Sequence, residues 1–192
     1  MLQTDNFTKS IRSTARHCLV ISCILLLLFG CAQKPATFST LEITEPAPQN
    51  ALCYAKQQIG KPYKLGGQGP DVFDCSGMII CAYEDALQSP LFLMNKRNEI
   101  CNDVTIDEIY KYNVRVLEKD ELMPGDIVFI TKRKDRITHG GLFIGWKDEN
   151  TIEFINASYY CGEVCLDDWP LEGTKRGQWV AGFGRLMVRR KQ

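Results

Sequence analysis

The sequence predicts an α+β domain in which helices come first and an antiparallel sheet follows. After residue 50, apolar residues first recur at helical spacing. Beyond Met123-Pro124-Gly125 they fall instead in short segments rich in Ile, Val, Phe and Trp, separated by polar turns. A length of 192 residues, with 45% hydrophobic and 24% charged residues, is typical of one globular domain. The formal net charge is zero, so composition gives no indication of a nucleic-acid partner.

The first thirty residues differ in composition from the rest. Lys9, Arg12 and Arg16 precede an uncharged apolar run over residues 19–29. This run is too short to cross a bilayer as a helix, which takes about 20 residues. A basic flank before a short apolar segment is typical of an export signal. We therefore expect residues 1–30 to be a signal peptide.

The signal ends in Leu28-Phe29-Gly30-Cys31, which resembles the bacterial lipobox, where cleavage precedes a cysteine that receives the lipid. We therefore expect a lipoprotein anchored at Cys31. Because Ala32 rather than aspartate follows, the resemblance implies the outer membrane of a Gram-negative bacterium, on its periplasmic face. An ordinary signal peptide or an uncleaved anchor, with Cys31 unmodified, are the alternatives.

The next segment, residues 31–50, is rich in proline and polar side chains. Pro35, Pro46 and Pro48 occur among Thr, Ser, Glu and Gln, with few large apolar residues to bury. This composition predicts a flexible tether between the anchor and the folded domain. We expect that domain to occupy residues 51–192 and to be a monomer.

Nine cysteines are many for a cytosolic enzyme, but an export signal changes their interpretation because disulfides form in oxidising compartments. Besides Cys75, five lie in the expected domain: Cys53, Cys81, Cys101, Cys161 and Cys165. We expect Cys81 to be a small core residue, and three pairings of the other four remain open. No second Cys or His pair accompanies Cys161 and Cys165, so we expect no metal and no other cofactor.

The domain is expected to open with a short amphipathic helix over residues 51–59. Leu52, Ala55 and Ile59 have helical spacing, and Gly60 ends the pattern. A glycine-rich loop follows, whose backbone can approach another segment closely.

Two further helices are expected before the sheet. An apolar helix over residues 75–87 has Asp74 as its N-cap. A polar helix over residues 105–112 is capped by Thr105 or Asp103.

Four strands complete the predicted fold. They cover residues 126–131, 138–145, 151–157 and 179–188. The charged run over residues 132–136 is interpreted as the solvated turn of the first hairpin, and contact with an anionic polymer is the alternative.

Cys75 lies at the first turn of the expected helix. Unpaired backbone N–H groups and the positive end of the helix dipole favour a thiolate at such a position. His139 is the only histidine outside the N-terminal region. If Cys75 is a nucleophile, His139 must be its base.

The strand pattern predicts that Asn156 lies near His139. If strands 138–145 and 151–157 form a hairpin, Asn156 lies on the same face as His139, and its amide oxygen can fix the ring. The N–H of the cysteine and the hydroxyl of Tyr63 are candidate oxyanion donors.

Each of these residues also has a structural interpretation when taken alone. A buried cysteine at a helix start is commonly inert packing. His139 can be a satisfied core histidine, Asn156 a strand-end residue, and Tyr63 a packing residue. Their joint placement favours the catalytic interpretation.

Four motifs occur in order between residues 51 and 188. They are Gly60-Lys61-Pro62-Tyr63 with Gly66-Gly67, Phe73-Asp74-Cys75-Ser76-Gly77, Pro124-Gly125-Asp126, and His139-Gly140-Gly141. In order and spacing they resemble the NlpC-like family of cell-wall cysteine peptidases. The resemblance implies a papain-like core with the nucleophile helix before the sheet.

The resemblance also implies an activity, namely hydrolysis of an amide bond in the peptide stem of peptidoglycan. The bond is commonly the one between D-glutamate and the following diamino acid. The implied catalytic residues are Cys75, His139 and Asn156. The residues implied to line the substrate cleft are Tyr63, Asp74 and Ser76.

Two positions depart from the family pattern. Asn156 stands where the family often has histidine, and Gly140 stands where it usually has a larger residue. A neutral amide can orient an imidazole, but it adds no negative charge beside an imidazolium.

These features support the hypothesis of a lipid-anchored, periplasm-facing cysteine endopeptidase whose partners are peptidoglycan stem peptides and the membrane. A non-catalytic peptidoglycan-binding lipoprotein is one alternative, and it predicts binding without turnover. A thiol-dependent acyltransferase or amidase is another. An acyltransferase would incorporate an added amine into product in place of water.

Overall fold

The structure, a computed structural model, describes residues 37–191. The signal peptide expected over residues 1–30 and the lipidation site expected at Cys31 lie outside the described residues. Among the described helices, none combines the length and the apolar character that crossing a membrane requires.

The described residues form three α-helices and nine β-strands. The helices are α1 (Ala47–Gln57), α2 (Cys75–Leu87) and α3 (Ile106–Tyr112). The strands are β1 (Phe38–Glu42), β2 (Leu93–Met94), β3 (Ile100–Cys101), β4 (Val114–Leu117), β5 (Ile127–Thr131), β6 (His139–Asp148), β7 (Thr151–Ser158), β8 (Glu163–Pro170) and β9 (Trp179–Lys191).

The main sheet is antiparallel and has the strand order β1-β9-β5-β6-β7-β8, with β4 also paired to β9. Strands β2 and β3 form a separate two-stranded sheet. Helices α1 and α2 pack against each other and against β6 and β7. The predicted α+β fold class is confirmed.

The main hydrophobic core includes residues of both the helices and the sheet. Met78 of α2 is fully buried in the same cluster as Ile127 and Phe129 of β5. The alternate β5 residues, Val128 and Ile130, belong to a second cluster. Because both faces of β5 are buried, its sequence is a continuous apolar run rather than an alternating pattern.

The three predicted helices are present with adjusted boundaries. Helix α1 begins at Ala47, earlier than expected, because Pro46 and Pro48 lie at its first turn, where a backbone N–H has no helical partner to lose. Helix α2 has the predicted bounds. Helix α3 is capped by Thr105, which forms a capping box with Glu108.

The prediction of a tether over residues 31–50 is wrong from residue 38 onward, and the domain therefore begins before residue 51. Residues 38–42 form β1 and pair with β9, and Phe38 packs against Phe92 with ring centroids 6.0 Å apart. Ile43 is 3% exposed. Strand pairing uses backbone groups, so a polar composition does not reveal it.

The four predicted strands and the β6–β7 hairpin are confirmed. Strand β8 was not predicted, although it pairs with β7 along its whole length. Its sequence includes the adjacent Asp167 and Asp168, which weaken the strand pattern. Strand β8 is stabilised by its pairing with β7, and the residues of β8 alone do not reveal that pairing.

A buried ion pair joins the start of β5 to β9. The carboxylate of Asp126 is fully buried and accepts hydrogen bonds from Arg185 Nε at 2.8 Å and Nη2 at 2.7 Å. It also accepts the Met123 N–H at 2.9 Å. The bidentate geometry satisfies both charged groups, and removing one partner leaves the other buried without its counter-ion.

We expect Asp126→Ala to lower the free energy of unfolding by about 3 kcal/mol, the range for breaking a buried ion pair. Urea denaturation followed by circular dichroism measures the change. Asp135→Ala is the control, because Asp135 forms an exposed pair with Arg133 and should change stability little. Equal effects of the two substitutions would contradict the assigned role of the buried pair.

Candidate active site

Cys75 is the first residue of α2, and Asp74 fixes this helix start. Asp74 Oδ1 accepts the Gly77 N–H at 2.8 Å and the Ser76 hydroxyl at 2.9 Å. The predicted N-cap is therefore confirmed. The cap holds the cysteine at the first turn of the helix, where backbone N–H groups are free of helical partners.

The glycine-rich loop packs directly on this helix start. Asp74 Oδ2 accepts the Gly66 N–H at 2.8 Å, and the Asp74 N–H donates to the Gly67 carbonyl at 2.8 Å. A Cβ atom at Gly77 would lie 2.0 Å from the same Gly67 carbonyl oxygen. Glycine at position 77 therefore permits the close backbone approach that ties the loop to the nucleophile helix.

His139 begins β6, and its ring is fixed by Asn156 of β7. The distance between His139 Nε2 and Asn156 Oδ1 is 2.9 Å. Asn156 is fully buried, and its Nδ2 group donates to the Cys165 carbonyl at 3.3 Å. Because that bond turns the amide oxygen toward the ring, Nε2 carries the proton and Nδ1 can accept one.

Two glycines of β6 make room for this arrangement. A Cβ at Gly141 would lie 2.9 Å from Asn156 Cβ and 2.3 Å from the Ile155 carbonyl oxygen. A Cβ at Gly140 would lie 2.8 Å from Ile106 Cδ1. The glycine that departs from the family pattern at position 140 thus fits against α3, where a larger residue requires a shift.

Cys75 and His139 line one cavity of about 180 Å³. The backbone N–H groups of Ser76, Cys75 and Gly140, the last next to the histidine, favour a negative charge on the sulfur. The predicted nucleophile, base and orienting amide therefore meet at one place in the fold. The N–H groups around the sulfur are also suited to an oxyanion.

The surroundings of Cys75 favour the protonated thiol. Burial, followed by the negative charge of Asp74, raises the pKa of Cys75 to about 12, and the three backbone N–H groups only partly oppose this. The expectation that the helix start favours a thiolate is thus outweighed by desolvation. Deprotonation of Cys75 therefore requires a base at the moment of attack.

His139 is suited to that task. Burial lowers the pKa of its imidazole below the ordinary value of 6.5, and Arg176 lowers it further. The hydrogen bond to Asn156 and the charge of Asp167 act in the opposite direction. The net lowering keeps the ring neutral at pH 7, so that it can accept the thiol proton.

The three predicted cleft residues occupy different positions. Tyr63 lines the cavity with Cys75, and burial together with the nearby sulfur raises the pKa of its hydroxyl, which remains a donor. Asp74 and Ser76 lie beside the cavity wall, where they hydrogen bond to each other and hold the helix start. Their contact with substrate stays a prediction.

Sequence reasoning missed one wall of the cavity. This wall is formed by the β7–β8 turn, by β8 and by the segment that follows it. The missed lining residues include Tyr159, Tyr160, Asp167, Trp169, Arg176 and Gln178. The tyrosines directly follow the strand that carries Asn156, and this adjacency was the available sequence signal.

Among the described residues, the structure contains six cysteines, none of them in a disulfide. Cys81 lies on α2 as predicted but is only half-buried, with its thiol donating to the Gln68 carbonyl at 3.0 Å. The thiols of Cys161 and Cys165 are 2.7 Å apart, close to the amide of Asn156. Burial and the neighbouring Cys161 raise the pKa of Cys165 to about 12.

Titration of His139 tests this electrostatic environment. By nuclear magnetic resonance, the imidazole should show a pKa below 6.5. Asp167→Asn should lower the pKa further, because it removes a negative charge, and Arg176→Gln should raise it, because it removes a positive one.

Comparison with His139→Gln identifies the resonance. A midpoint above 6.5, or shifts of the same sign in the two charge variants, would contradict the assigned surroundings of the ring.

The chain is similar to several curated proteins. It is 33% identical to murein DD-endopeptidase MepH of Escherichia coli (strain K12) over 104 residues, covering 53% of this chain and 34% of that protein. It is 29% identical to the probable endopeptidase NlpC of the same organism over 145 residues, covering 74% of this chain and 83% of that protein. For the first three relatives, the matched region spans about a third of their length or less.

The chain also matches solved structures and one family model. NlpC1 from Trichomonas vaginalis superposes with a TM-score of 0.56 at 24% identity, covering 77% of this chain and 47% of that one. An NlpC/P60 family protein from Bacillus cereus superposes with a TM-score of 0.53 at 21% identity, covering 75% and 41%. These likenesses show the fold. Residues 60–169 match the model of the NlpC/P60 family, and the chain belongs to that family.

Proposed function

We propose that the chain is a cysteine endopeptidase that hydrolyses an amide bond in peptidoglycan stem peptides through Cys75, His139 and Asn156. The observation that carries the proposal is the cavity that Cys75 shares with His139, whose ring is held by Asn156 Oδ1 at 2.9 Å from Nε2. Family membership supports it, since relatives are named as endopeptidases.

The proposed reaction begins with a neutral thiol and a neutral imidazole. As Cys75 Sγ attacks the amide carbon, its proton moves to Nδ1 of His139. The oxyanion of the tetrahedral intermediate accepts hydrogen bonds from the Cys75 N–H and from the Tyr63 hydroxyl. The imidazolium then protonates the amine nitrogen, the C–N bond breaks, and a thioester remains on the enzyme.

Hydrolysis of the thioester reverses the proton movements. His139 takes a proton from water as the water oxygen attacks the thioester carbon. The carbon–sulfur bond breaks, the sulfur recovers its proton from the imidazolium, and the carboxylic acid product leaves. Asn156 holds the ring in one tautomer through both halves of the reaction.

Two bonds of the stem are candidates. The bond between D-glutamate and the diamino acid is the one we propose from the resemblance of the motifs. The D,D cross-bridge is the second candidate, supported by the similarity to a protein named murein DD-endopeptidase. Mass spectrometry of digests of cross-linked muropeptides distinguishes them, because the two cleavages give fragments of different mass.

We further propose that the enzyme acts at the periplasmic face of the outer membrane, attached through lipid on Cys31. The basic flank, the short apolar run and the lipobox-like Leu28-Phe29-Gly30-Cys31 support this location. Cys31→Ser should abolish metabolic labelling with a fatty acid. Labelling that persists would exclude this anchor.

Removal of the nucleophile gives the sharpest test of the chemistry. Cys75→Ala should abolish muropeptide hydrolysis, and Cys53→Ala should retain it, because Cys53 is an exposed thiol on α1. Products are measured by chromatography and mass spectrometry. Hydrolysis that survives in Cys75→Ala would refute the assignment, and binding without turnover in the unmodified chain would favour the non-catalytic alternative.

The role of the orienting amide is tested separately. Asn156→Ala should lower kcat on the order of a hundredfold, since a free imidazole loses its alignment with the sulfur. Asn156→His should retain more activity, because a second imidazole can accept the same hydrogen bond. An unchanged kcat in Asn156→Ala would show that position 156 does not orient the ring.

A further inference from the structure

Arg176 lies in the active-site cavity but has no role in the proposed reaction. It belongs to the segment between β8 and β9, beyond residue 169, where the match to the family model ends. It lines the cavity that also contains Cys75 and His139. Its side chain is 34% exposed, so the guanidinium is partly open to a ligand.

The surrounding residues hold the guanidinium in place. Arg176 Nη1 donates to Asp167 Oδ2 at 2.8 Å, and the guanidinium carbon lies 5.3 Å from the ring centroid of Tyr160 and 5.9 Å from that of Trp169. Asp167 is itself only 9% exposed and also accepts a hydrogen bond from Lys175 at 2.8 Å. An arginine fixed in this way loses little freedom when it binds a ligand.

The guanidinium retains unused donors. It has five N–H groups, and among the described residues Asp167 is its hydrogen-bond partner through Nη1. The charge of Asp167 is already shared between Arg176 and Lys175. Lys132 adds a second positive charge to the cavity wall. This wall is therefore suited to a carboxylate, the planar anion that matches the guanidinium fork.

We propose that Arg176 is a specificity-determining residue that binds a free carboxylate of the stem peptide next to the scissile amide. The proposal rests on the proposed function for the nature of the ligand. Arg176 lines the same cavity as His139, which would protonate the amine of the leaving residue. The diamino acid supplies that residue, and diaminopimelate carries a side-chain carboxylate there that lysine lacks.

Binding to the full chain carrying Cys75→Ala tests the proposal without turnover. Isothermal titration calorimetry compares three tripeptides: L-Ala-γ-D-Glu with meso-diaminopimelate, the same peptide with L-lysine, and the diaminopimelate peptide with its D-glutamate α-carboxylate amidated. The diaminopimelate peptide should bind about 10- to 100-fold more tightly than the lysine peptide, the range for a charge-assisted hydrogen bond.

The matched variants are Arg176→Gln, Arg176→Lys and Arg133→Gln, each added to Cys75→Ala. Arg176→Gln should remove the preference, and Arg176→Lys should restore part of it. Arg133→Gln should leave it unchanged, because Arg133 likewise pairs with one aspartate but lies outside this cavity. Tight binding that is lost on amidation of the D-glutamate α-carboxylate, and not on replacement of diaminopimelate by lysine, would also support Arg176. In that case the carboxylate that Arg176 binds belongs to D-glutamate.

Equal affinity for the three peptides, no binding of any, or a preference that persists in both Arg176 variants would overturn the proposal. Hydrolysis by the chain with Cys75 intact is measured in parallel. Carboxylate preference without hydrolysis would refute the proposed function alone, and hydrolysis without carboxylate preference would refute only the role of Arg176.

Discussion

The carboxylate of Asp74 is the constraint on which the candidate site depends. Its two oxygens accept hydrogen bonds from both the start of α2 and the glycine-rich loop, through Gly77 N–H, Ser76 hydroxyl and Gly66 N–H. The sulfur of Cys75 is thereby placed relative to two backbone segments at once. Burial and the same negative charge raise the pKa of Cys75, so the residue that positions the candidate nucleophile also favours its protonated form.

The second half of the site is set by the register of one hairpin. Leu142 pairs with Ile155 across β6 and β7, so the register places Gly141 opposite Asn156. With no side chain at position 141, the amide has room to reach His139 diagonally across the strands. A shift by one residue would turn Asn156 to the other face of the sheet. Sheet geometry thus positions the candidate base and its orienting group, whereas a helix cap positions the candidate nucleophile.

The parts of the site that could be predicted are those with local sequence signals. Asp74 before an apolar helix, and segments rich in β-branched and aromatic residues around His139 and Asn156, are visible in windows of a few residues. Strands β1 and β8 could not be predicted, because they are stabilised by backbone pairing with partners that their own composition does not indicate. Arg176 was missed for the same reason, since its place in the cavity depends on where β8 lies.

The raised pKa of Cys75 lowers the reactivity of this thiol toward oxidants. Peroxides and disulfides react with the thiolate, and a thiol with a pKa of about 12 presents very little of it at rest. Cys75 is thus sheltered from irreversible oxidation to the sulfinic and sulfonic acids. In the proposed reaction the thiolate forms only when the imidazole takes the proton, so oxidation of Cys75 should depend on the number of turnovers.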